Sequence, residues 1–255
     1  MIQYDVQDGI AQLLMDSPPV NGITHEMLDT LMARLREAGA DPQVRAIVIG
    51  SALPGRFCGG LDLPRFAAGT PADTHAIVNK LYFQLFELQA SLPKPVIAAI
   101  TGSVRGGGMS IAITCDMIVA ADDATFGYPE LEVGLLPAIH FNHLPRIVGR
   151  NRAFDLLFTG RVFGAQEAAD LGLVGRTAPA AEVLAEARKL AAVFARKSPT
   201  LMRLGKAAFV RATDNGYRQG AASAVDLVCT VFGMPDCAEG LAAFAEKRAP
   251  QWEQP

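Results

Sequence analysis

The sequence predicts an α/β fold, with a β/α core over residues 1–195 and a helical region over 196–255. Two observations predict it. Short runs of β-branched residues alternate with amphipathic segments in the first part, as expected for repeated ββα or βαβ units. From Ala180 onward, four amphipathic segments follow one another with no strand-like run between them. A chain of 255 residues with 50% hydrophobic content can bury a substantial core.

The first elements in chain order are a strand, a helix and a second strand. Residues 10–15 have the apolar pattern of a strand, and the sequence Asp16-Ser17-Pro18-Pro19 ends it. Thr24 is a suitable N-cap for a helix that runs to about Ala38, because apolar residues then recur every three or four positions. A short buried strand is predicted over 46–49.

The next elements surround a glycine-rich turn. An amphipathic helix is predicted over 77–92, and Pro93 ends it. A strand follows over 96–100. After the turn, the pattern predicts a helix over 109–114 and a strand over 117–120.

The C-terminal part is predicted to be helical throughout. Each of its segments has apolar residues at helical spacing, which gives one apolar face. The predicted helices span 181–196, 199–211, 216–232 and 237–247.

Composition and charge argue against several classes of protein. The net charge of −3 and an isoelectric point near 5.8 argue against nucleic acid as a main partner. The first residues lack a basic segment followed by an apolar one, and no apolar run is long enough to span a bilayer. We therefore expect a cytoplasmic protein that is not bound to a membrane.

The sequence has no CxxC pair among its four cysteines, which are Cys58, Cys115, Cys229 and Cys237. We therefore expect reduced thiols and no zinc site.

Three consecutive glycines, Gly106-Gly107-Gly108, stand between the strand over 96–100 and the helix over 109–114. Glycine is costly to order, so its repetition at this turn suggests that the backbone approaches something closely. Free N–H groups at a helix start point at whatever lies there, and the helix dipole favours negative charge. The turn therefore forms an oxyanion site from the main chain, or it serves a tight helix–sheet contact.

A second glycine-bearing turn spans 56–62 and precedes a short helix-like segment. Two such turns in one α/β core can each give one backbone N–H to the same oxygen. A thioester carbonyl that becomes an enolate needs two such donors. Further along, a stretch over 126–134 places Glu130 and Glu132 among apolar residues. A carboxylate buried there would have a raised pKa and could move a proton.

Together these passages resemble the crotonase superfamily, the enoyl-CoA hydratase/isomerase family. The resemblance spans essentially the full chain, and its motifs are specific to the superfamily but only weakly specific to one reaction. The passages that carry it are Asn21-Gly22, Arg56-Phe57-Cys58-Gly59-Gly60-Leu61-Asp62, the stretch 102–108, Cys115-Asp116, the stretch 126–134, Leu171-Gly172-Leu173-Val174 and Phe244-Ala245-Glu246-Lys247-Arg248. The fold implied is a crotonase-like spiral of ββα turns with a helical C-terminal region, assembled as a homotrimer or a dimer of trimers.

The resemblance also implies the site residues. Leu61 and Gly107 match the positions whose N–H groups hold the thioester oxygen. Glu130 matches one of the two glutamates that the family's hydratases use as acid and base. Phe244 and Lys247 match residues that reach the adenine-phosphate end of coenzyme A, often from a neighbouring subunit. The other positions implied to contact coenzyme A lie around the first turn: Gly59, Gly60, Asp62 and Leu63. The implied substrate is an acyl-CoA, with coenzyme A as part of the substrate, and we expect no prosthetic group and no metal.

Two positions depart from the pattern of the family's hydratases. Ser110 stands where a hydratase carries its other glutamate, and it cannot act as a carboxylate base; it either binds substrate or helps to start the helix. After Pro137, the sequence Ala138-Ile139-His140-Phe141 replaces a small glycine-rich segment, and His140 is a candidate auxiliary acid or base. One glutamate suffices to move a proton between two carbons of an enolate. Isomerisation and hydration by a single carboxylate therefore both stay open.

Other interpretations come from different classes. A further enolate reaction such as C–C cleavage is one alternative, and a CoA-binding pseudoenzyme is another, since one glutamate is missing. The sequence Gly108-Met109-Ser110-Ile111-Ala112 approximates the nucleophile elbow of a serine hydrolase, but that fold needs a histidine late in the chain and none follows His143. His140 and His143 alone would make a poor metal site.

Several further side chains have two interpretations. Asp62 is a contact to coenzyme A or a cap residue. Arg105, beside the three glycines, pairs with an acidic neighbour or meets an anionic acyl group. Four aromatic residues are candidates for an acyl pocket, although each could equally be ordinary core: Tyr82, Phe83, Tyr128 and Phe141.

Overall fold

The computed structural model describes residues 1–213 and 216–252; of the predicted region 196–255, positions 214, 215 and 253–255 lie outside the described residues. The strands are β1 (Ile2–Gln7), β2 (Ile10–Met15), β3 (Ala46–Ser51), β4 (Gly55–Cys58), β5 (Val96–Ile100), β6 (Gly102–Arg105), β7 (Met117–Ala121), β8 (Thr125–Gly127), β9 (Phe163–Gly164) and β10 (Arg176–Ala178). The helices are α1 (His25–Ala40), α2 (Leu63–Ala67), α3 (Pro71–Asn79), α4 (Leu85–Ser91), α5 (Gly107–Ile113), α6 (Ala138–Val148), α7 (Arg150–Thr159), α8 (Ala165–Asp170), α9 (Val183–Ala195), α10 (Pro199–Thr213), α11 (Tyr217–Phe232) and α12 (Pro235–Glu246). A π-helical turn (Lys80–Gln84) joins α3 to α4, and 3₁₀ turns span Pro129–Val133 and Ala180–Glu182.

Three segments of the chain repeat one pattern. In each, a strand of the larger sheet is followed directly by a strand of the smaller sheet and then by helical structure: β3 with β4, β5 with β6, and β7 with β8. The larger sheet has the order β1-β2-β3-β5-β7-β10, and the smaller has the order β4-β6-β8-β9. This repetition, with the helices that follow it, confirms the predicted spiral of ββα turns with a helical C-terminal region.

The core lies around the central strands of the larger sheet. Every residue of β5 is buried, and so is every residue of β3 except Ser51. Parallel strands that are covered on both faces are continuous apolar runs, which is why periodicity predicts them as buried strands. The helix α9 packs across β3, β5 and β7. The strands predicted over 46–49 and 96–100 are confirmed.

The structure contains strands that the sequence patterns do not predict, among them β1, β4, β6 and β8. β4, β6 and β8 are three or four residues long and contain glycine. Their extended conformation comes from pairing within the smaller sheet, β4 with β6 and β6 with β8, rather than from local propensity.

Helix caps explain where the first helices begin. The Met27 N–H donates to Thr24 Oγ1 (3.2 Å), so α1 begins after Thr24 as predicted. The helical segment predicted over 77–92 begins earlier, at Pro71, because Thr70 and Asp73 form a capping box. The structure therefore extends this segment by almost two turns at its start.

The last two helices, α11 and α12, pack on earlier elements of the chain. The helix α11 packs on α3 and α6, and α12 packs on the 3₁₀ turn Pro129–Val133. A Cβ at Gly240 of α12 would lie 2.4 Å from the carbonyl carbon of Val133, so the two backbones are in close contact. Within the described ranges, no single helix is long and apolar enough to cross a membrane; α11 and α12 meet that criterion only as a pair, bent by 76°.

Candidate active site

Three parallel strands of the smaller sheet end at one edge. Cys58 of β4 lies opposite Val104 of β6, and Arg105 of β6 lies opposite Gly127 of β8. Because the carboxyl ends of parallel strands meet at the same edge, the turns that follow these strands come together there. The Gly106 N–H donates to the Gly127 carbonyl (3.1 Å), which joins the second turn to the third.

The two glycine turns adjoin at this edge. Gly60 has φ +95° and Gly106 has φ +50°, values that favour glycine. A Cβ at Gly60 would lie 3.4 Å from the Gly107 nitrogen, and a Cβ at Gly107 would lie 3.6 Å from the Leu61 nitrogen. Among the described residues, neither the Leu61 N–H nor the Gly107 N–H donates to a turn or loop carbonyl. Two adjoining free donors can hold one developing oxyanion.

A cavity of about 890 Å³ opens beside these turns. Its wall is formed by both glycine turns, the 3₁₀ turn after β8, the π-helical turn and the end of α12. The site residues predicted from the sequence that line it are Gly59, Gly60, Leu61, Leu63, Gly107, Glu130, Phe244 and Lys247. The structure therefore gathers most of the predicted site around one space. Asp62, Ser110 and His140 lie outside this lining.

Glu130 lies in the 3₁₀ turn directly after β8. A Cβ at Gly106 would lie 3.5 Å from Glu130 Oε1, so the carboxyl group stands beside the second glycine turn. Its Oε2 atom is buried and has no hydrogen-bond partner in the described part of the chain. Burial raises the pKa of Glu130 to about 7, against a smaller lowering by its own backbone N–H. A carboxyl group that titrates near neutral pH can both accept and return a proton. The neighbouring Glu132 is exposed.

Ser110 and His140 lie behind the cavity wall. Both are almost fully buried, and Ser110 Oγ lies 3.3 Å from His140 Nε2. The His140 ring also lies against the Tyr128 ring, with 4.6 Å between centroids. Burial, helped by His143 and opposed by the Gly106 carbonyl, lowers the pKa of His140 to about 3. The imidazole is therefore neutral at physiological pH.

The Ser110–His140 contact lacks the other parts of a hydrolase triad. The His140 Nδ1 atom has no hydrogen-bond partner among residues 1–213 and 216–252, so no carboxylate orients the ring. Neither side chain lines the cavity. The geometry therefore gives no support to a serine hydrolase.

Asp62 caps the short helix α2. The Arg65 N–H donates to Asp62 Oδ1 (3.2 Å), and the Arg65 guanidinium lies 3.8 Å from Asp62 Oδ2. This is the capping interpretation that the sequence left open. A Cβ at Gly22 would lie 3.5 Å from Asp62 Cβ, so the cap also packs against the Asn21-Gly22 turn.

The end of α12 forms one wall of the cavity. Phe244 is exposed, and Lys247 follows the helix with φ +54°. Both belong to the same chain as Glu130. Sequence reasoning missed Leu135, Leu136 and Val228, which look like ordinary core, and Trp252. The signal that could have indicated Trp252 is that it is the only tryptophan of the sequence and lies close to the 244–248 motif.

Of the four candidate aromatic residues for the acyl pocket, only Tyr82 lines the cavity; Phe83, Tyr128 and Phe141 do not. Arg105 lines the cavity as well. Its guanidinium donates to the carbonyls of Val104 and Thr125, both at 2.8 Å, and it has no acidic partner among the described residues. Burial lowers the pKa of Arg105.

No three His, Cys, Asp or Glu side chains in the described ranges are close enough together to hold a metal ion. The four cysteines are free thiols. Burial raises the pKa of Cys58, which precedes the first glycine turn, to about 12, so it is an unreactive thiol at neutral pH.

Known proteins match the chain along nearly all of its length. The family model for enoyl-CoA hydratase/isomerase matches residues 5–255. A probable enoyl-CoA hydratase of Bacillus subtilis is 36% identical over 256 residues, which cover 99% of this chain and 98% of that protein. The crystal structure of an enoyl-CoA hydratase from Mycobacterium avium subsp. paratuberculosis is similar with a TM-score of 0.87 at 27% identity, over 99% of this chain and 98% of that one. The crystal structure of an enoyl-CoA hydratase/isomerase from Xanthobacter autotrophicus is similar with a TM-score of 0.88 at 28% identity, over 96% of this chain and 93% of that one. Together with the repeated ββα turns and the paired glycine turns, these matches show that the chain belongs to the enoyl-CoA hydratase/isomerase family.

Proposed function

We propose that the protein acts on the double bond of an enoyl-CoA thioester, holding the thioester oxygen with two backbone N–H groups and moving a proton with one carboxyl group. The N–H groups are those of Leu61 and Gly107, and the carboxyl group is that of Glu130. The observation that carries the proposal is that all three line one cavity, in which Glu130 stands beside the second glycine turn.

The proposed proton transfer uses each group once. The Glu130 carboxylate removes a proton from a carbon of the acyl chain, and the electron pair of that C–H bond moves into a dienolate. The negative charge that develops on the thioester oxygen is held by the Leu61 and Gly107 N–H groups; a single donor of this kind typically contributes about 10²–10³-fold in rate. Glu130 then returns the proton to another carbon, which moves the double bond and restores the carboxylate.

Ser110 favours isomerisation over hydration. Hydration is best served by two carboxylates that flank a water, whereas proton transfer between two carbons needs one. Ser110 occupies the position of the second glutamate and is paired with His140 behind the cavity wall. Hydration is the second candidate, because the relatives and structures that match this chain are named enoyl-CoA hydratases.

The experiment is a screen of enoyl-CoA thioesters of different chain length and double-bond position, run in heavy-oxygen water with products read by mass spectrometry. Isomerisation gives a product of unchanged mass, and hydration gives a product that contains the heavy oxygen. Cleavage of a C–C bond would give two fragments. Binding without any product would indicate a pseudoenzyme.

Glu130→Gln tests the role of the carboxyl group in the same assay. We expect a loss of about 10²–10⁴-fold in kcat/KM, the usual contribution of a general acid or base. Glu132→Gln is the matched control, because Glu132 lies in the same 3₁₀ turn and also lines the cavity but is exposed, so its loss should cost far less activity. Full activity of Glu130→Gln on the best substrate would refute the proposal.

We also propose that the protein assembles as a homotrimer or a dimer of trimers, as the resemblance implies. The helix α10 buries none of its residues within this chain, and its exposed apolar side chains are Leu201, Leu204 and Phe209. Exposed apolar patches of this kind mark interaction surfaces. The proposed chemistry needs no prosthetic group or metal, and the cytoplasmic location remains a prediction from the sequence.

A further inference from the structure

Tyr82 stands out among the residues that line the cavity. It is only 6% exposed. The charged residues of the lining are more accessible: Arg105, Glu130, Glu132, Lys247 and Arg248. Its buried neighbours in the lining are apolar residues or glycines, such as Leu135 and Val228. Among the buried residues of the described lining, Tyr82 is therefore the one with a polar side chain.

The backbone holds Tyr82 in an unusual local structure. Tyr82 is the central residue of the π-helical turn Lys80–Gln84 between α3 and α4. Single π-helical turns inside α-helices occur frequently at functional sites. The preceding residue, Leu81, contacts the second glycine turn: a Cβ at Gly107 would lie 3.1 Å from Leu81 Cδ2. The turn thus presents Tyr82 next to the oxyanion donors.

The position of Tyr82 is fixed from behind. The Tyr217 hydroxyl donates to the Tyr82 backbone carbonyl (3.1 Å), and the Tyr217 ring stacks on Phe86 of α4 with 3.6 Å between centroids. The hydrogen bond uses the backbone carbonyl of Tyr82 and leaves its side-chain hydroxyl unused. Among the described residues, that hydroxyl has no hydrogen-bond partner.

The Tyr82 hydroxyl is protonated and can donate a hydrogen bond. Burial raises the pKa of Tyr82, and Glu130 and Tyr217 raise it further, because their ionised forms would repel a phenolate. The hydroxyl therefore keeps its proton at physiological pH. The hydroxyl oxygen is not among the fully buried unpartnered atoms of the described residues, so it is accessible, and a ligand in the cavity can accept its hydrogen bond.

We propose that Tyr82 selects the acyl group: its hydroxyl donates a hydrogen bond to an oxygen that the acyl chain carries beyond the thioester carbonyl. The preferred substrate is then an oxygen-substituted enoyl-CoA, with a keto, hydroxy or ether group, rather than a plain alkyl one. This inference rests on the proposed function, because it places the acyl chain in the same cavity beside Glu130. It concerns substrate choice and leaves the proton transfer itself to Glu130.

The test compares hexenoyl-CoA with its keto, hydroxy and ether analogues of equal chain length, using the full chain and its Tyr82→Phe variant. For the wild type, we expect kcat/KM to be about 10–100-fold higher for at least one oxygenated analogue, because a site that hydrogen-bonds a substrate group discriminates against the analogue without it. Tyr82→Phe should abolish this preference by lowering kcat/KM for the oxygenated analogue far more than for hexenoyl-CoA. Tyr4→Phe is the matched control, because Tyr4 lies outside the cavity lining and also has an unpartnered hydroxyl among the described residues.

Two results would overturn the inference. A wild-type enzyme without preference for any oxygenated analogue would show that the hydroxyl recognises no acyl oxygen. An equal loss on all substrates in Tyr82→Phe would show that Tyr82 supports the oxyanion or the fold instead.

Calorimetry with the saturated acyl-CoA analogues separates this inference from the proposed function. A Tyr82-dependent preference in Kd supports the role of Tyr82 even if no double bond is moved. The absence of any such preference refutes that role even if Glu130→Gln is inactive.

Discussion

At the scale of single residues, the carboxyl group of Glu130 connects activity to pH. Burial raises its pKa to about 7, so the carboxylate that accepts a proton forms only near neutral pH. We expect kcat/KM of the free enzyme to fall about tenfold for each pH unit below about pH 7 and to level off above it. The measurement is a pH–rate profile between about pH 5 and pH 9 on the best substrate. A profile that is flat across this range would contradict a catalytic base at Glu130.

The same burial connects stability to pH. The pKa of Glu130 rises from 4.5 to about 7 on folding, so the folded protein holds this proton more tightly. Its stabilising contribution is complete below about pH 4.5 and is lost as pH rises through 7. At about 1.4 kcal/mol per pKa unit, the loss is on the order of 3 kcal/mol.

Glu130→Gln should therefore be more stable than the wild type at about pH 8, by an amount that shrinks toward zero near about pH 4. Urea unfolding across this range measures the free energy of unfolding of both proteins. Glu132→Gln, changed at an exposed position in the same turn, should show no such trend. A difference between Glu130→Gln and wild type that is constant with pH would contradict a pKa of Glu130 that burial raises.

Ser110 is predicted to act on stability more than on catalysis. Its hydroxyl partners the buried His140 ring and lies outside the cavity lining. Ser110→Ala removes the hydroxyl that contacts His140 Nε2, so we expect a loss of about 1–3 kcal/mol in the free energy of unfolding and a change in kcat/KM of less than about threefold. Ser223→Ala, at an exposed position of α11, serves as control. A 100-fold loss of activity at unchanged stability would instead show that Ser110 contacts substrate.

At the scale of elements, α12 closes the cavity against the turn that carries Glu130. A Cβ at Gly240 would lie 2.4 Å from the Val133 carbonyl carbon and 2.6 Å from the Gly134 nitrogen, and these backbone atoms cannot rotate away. We expect Gly240→Ala to cost about 1–3 kcal/mol of stability and to raise KM for acyl-CoA, because Phe244 moves with the helix.

A second helical glycine provides the control. Within one chain, a Cβ at Gly205 of α10 would meet nothing within 4 Å, so Gly205→Ala should raise the stability of the separated chain by about 0.5–1 kcal/mol through better helix propensity. Thermal unfolding and steady-state kinetics of the two variants are compared side by side. Equal effects would show that the contact of α12 with the 3₁₀ turn contributes nothing.

The sequence predicts long elements better than short ones, for a physical reason. The helix after Thr24 and the strand over 96–100 are confirmed because an apolar stripe or a continuous apolar run is visible over enough residues. Strands of three or four residues, such as β8 (Thr125–Gly127), offer too few positions for alternation and form because a neighbouring strand pairs with them. The π-helical turn at 80–84 likewise has no pattern of its own.

At the scale of the whole molecule, the candidate site can be predicted only in part from the sequence. The motifs and the resemblance indicate Leu61, Gly107 and Glu130 together, because each follows a strand and all three strands end at one edge. The motifs do not reveal that Ser110 turns away to meet His140, thirty residues further along. That contact depends on how α6 packs against α5, which no local pattern encodes.

The assembly provides the last prediction. Leu204 and Phe209 of α10 are 52% and 69% exposed, and a charge at either would oppose burial against another chain. We expect the wild type to have at least three times the chain mass of 27.1 kDa by light scattering, and Leu204→Asp with Phe209→Asp to lower it toward a single chain. Arg203→Glu, about 100° around the helix from Leu204, is the control that should keep the assembly.

Because Glu130 and Lys247 line the cavity from one chain, the separated chain should still bind acyl-CoA. A wild type with the mass of one chain would refute the trimer, and loss of binding on separation would show that a neighbouring subunit completes the site.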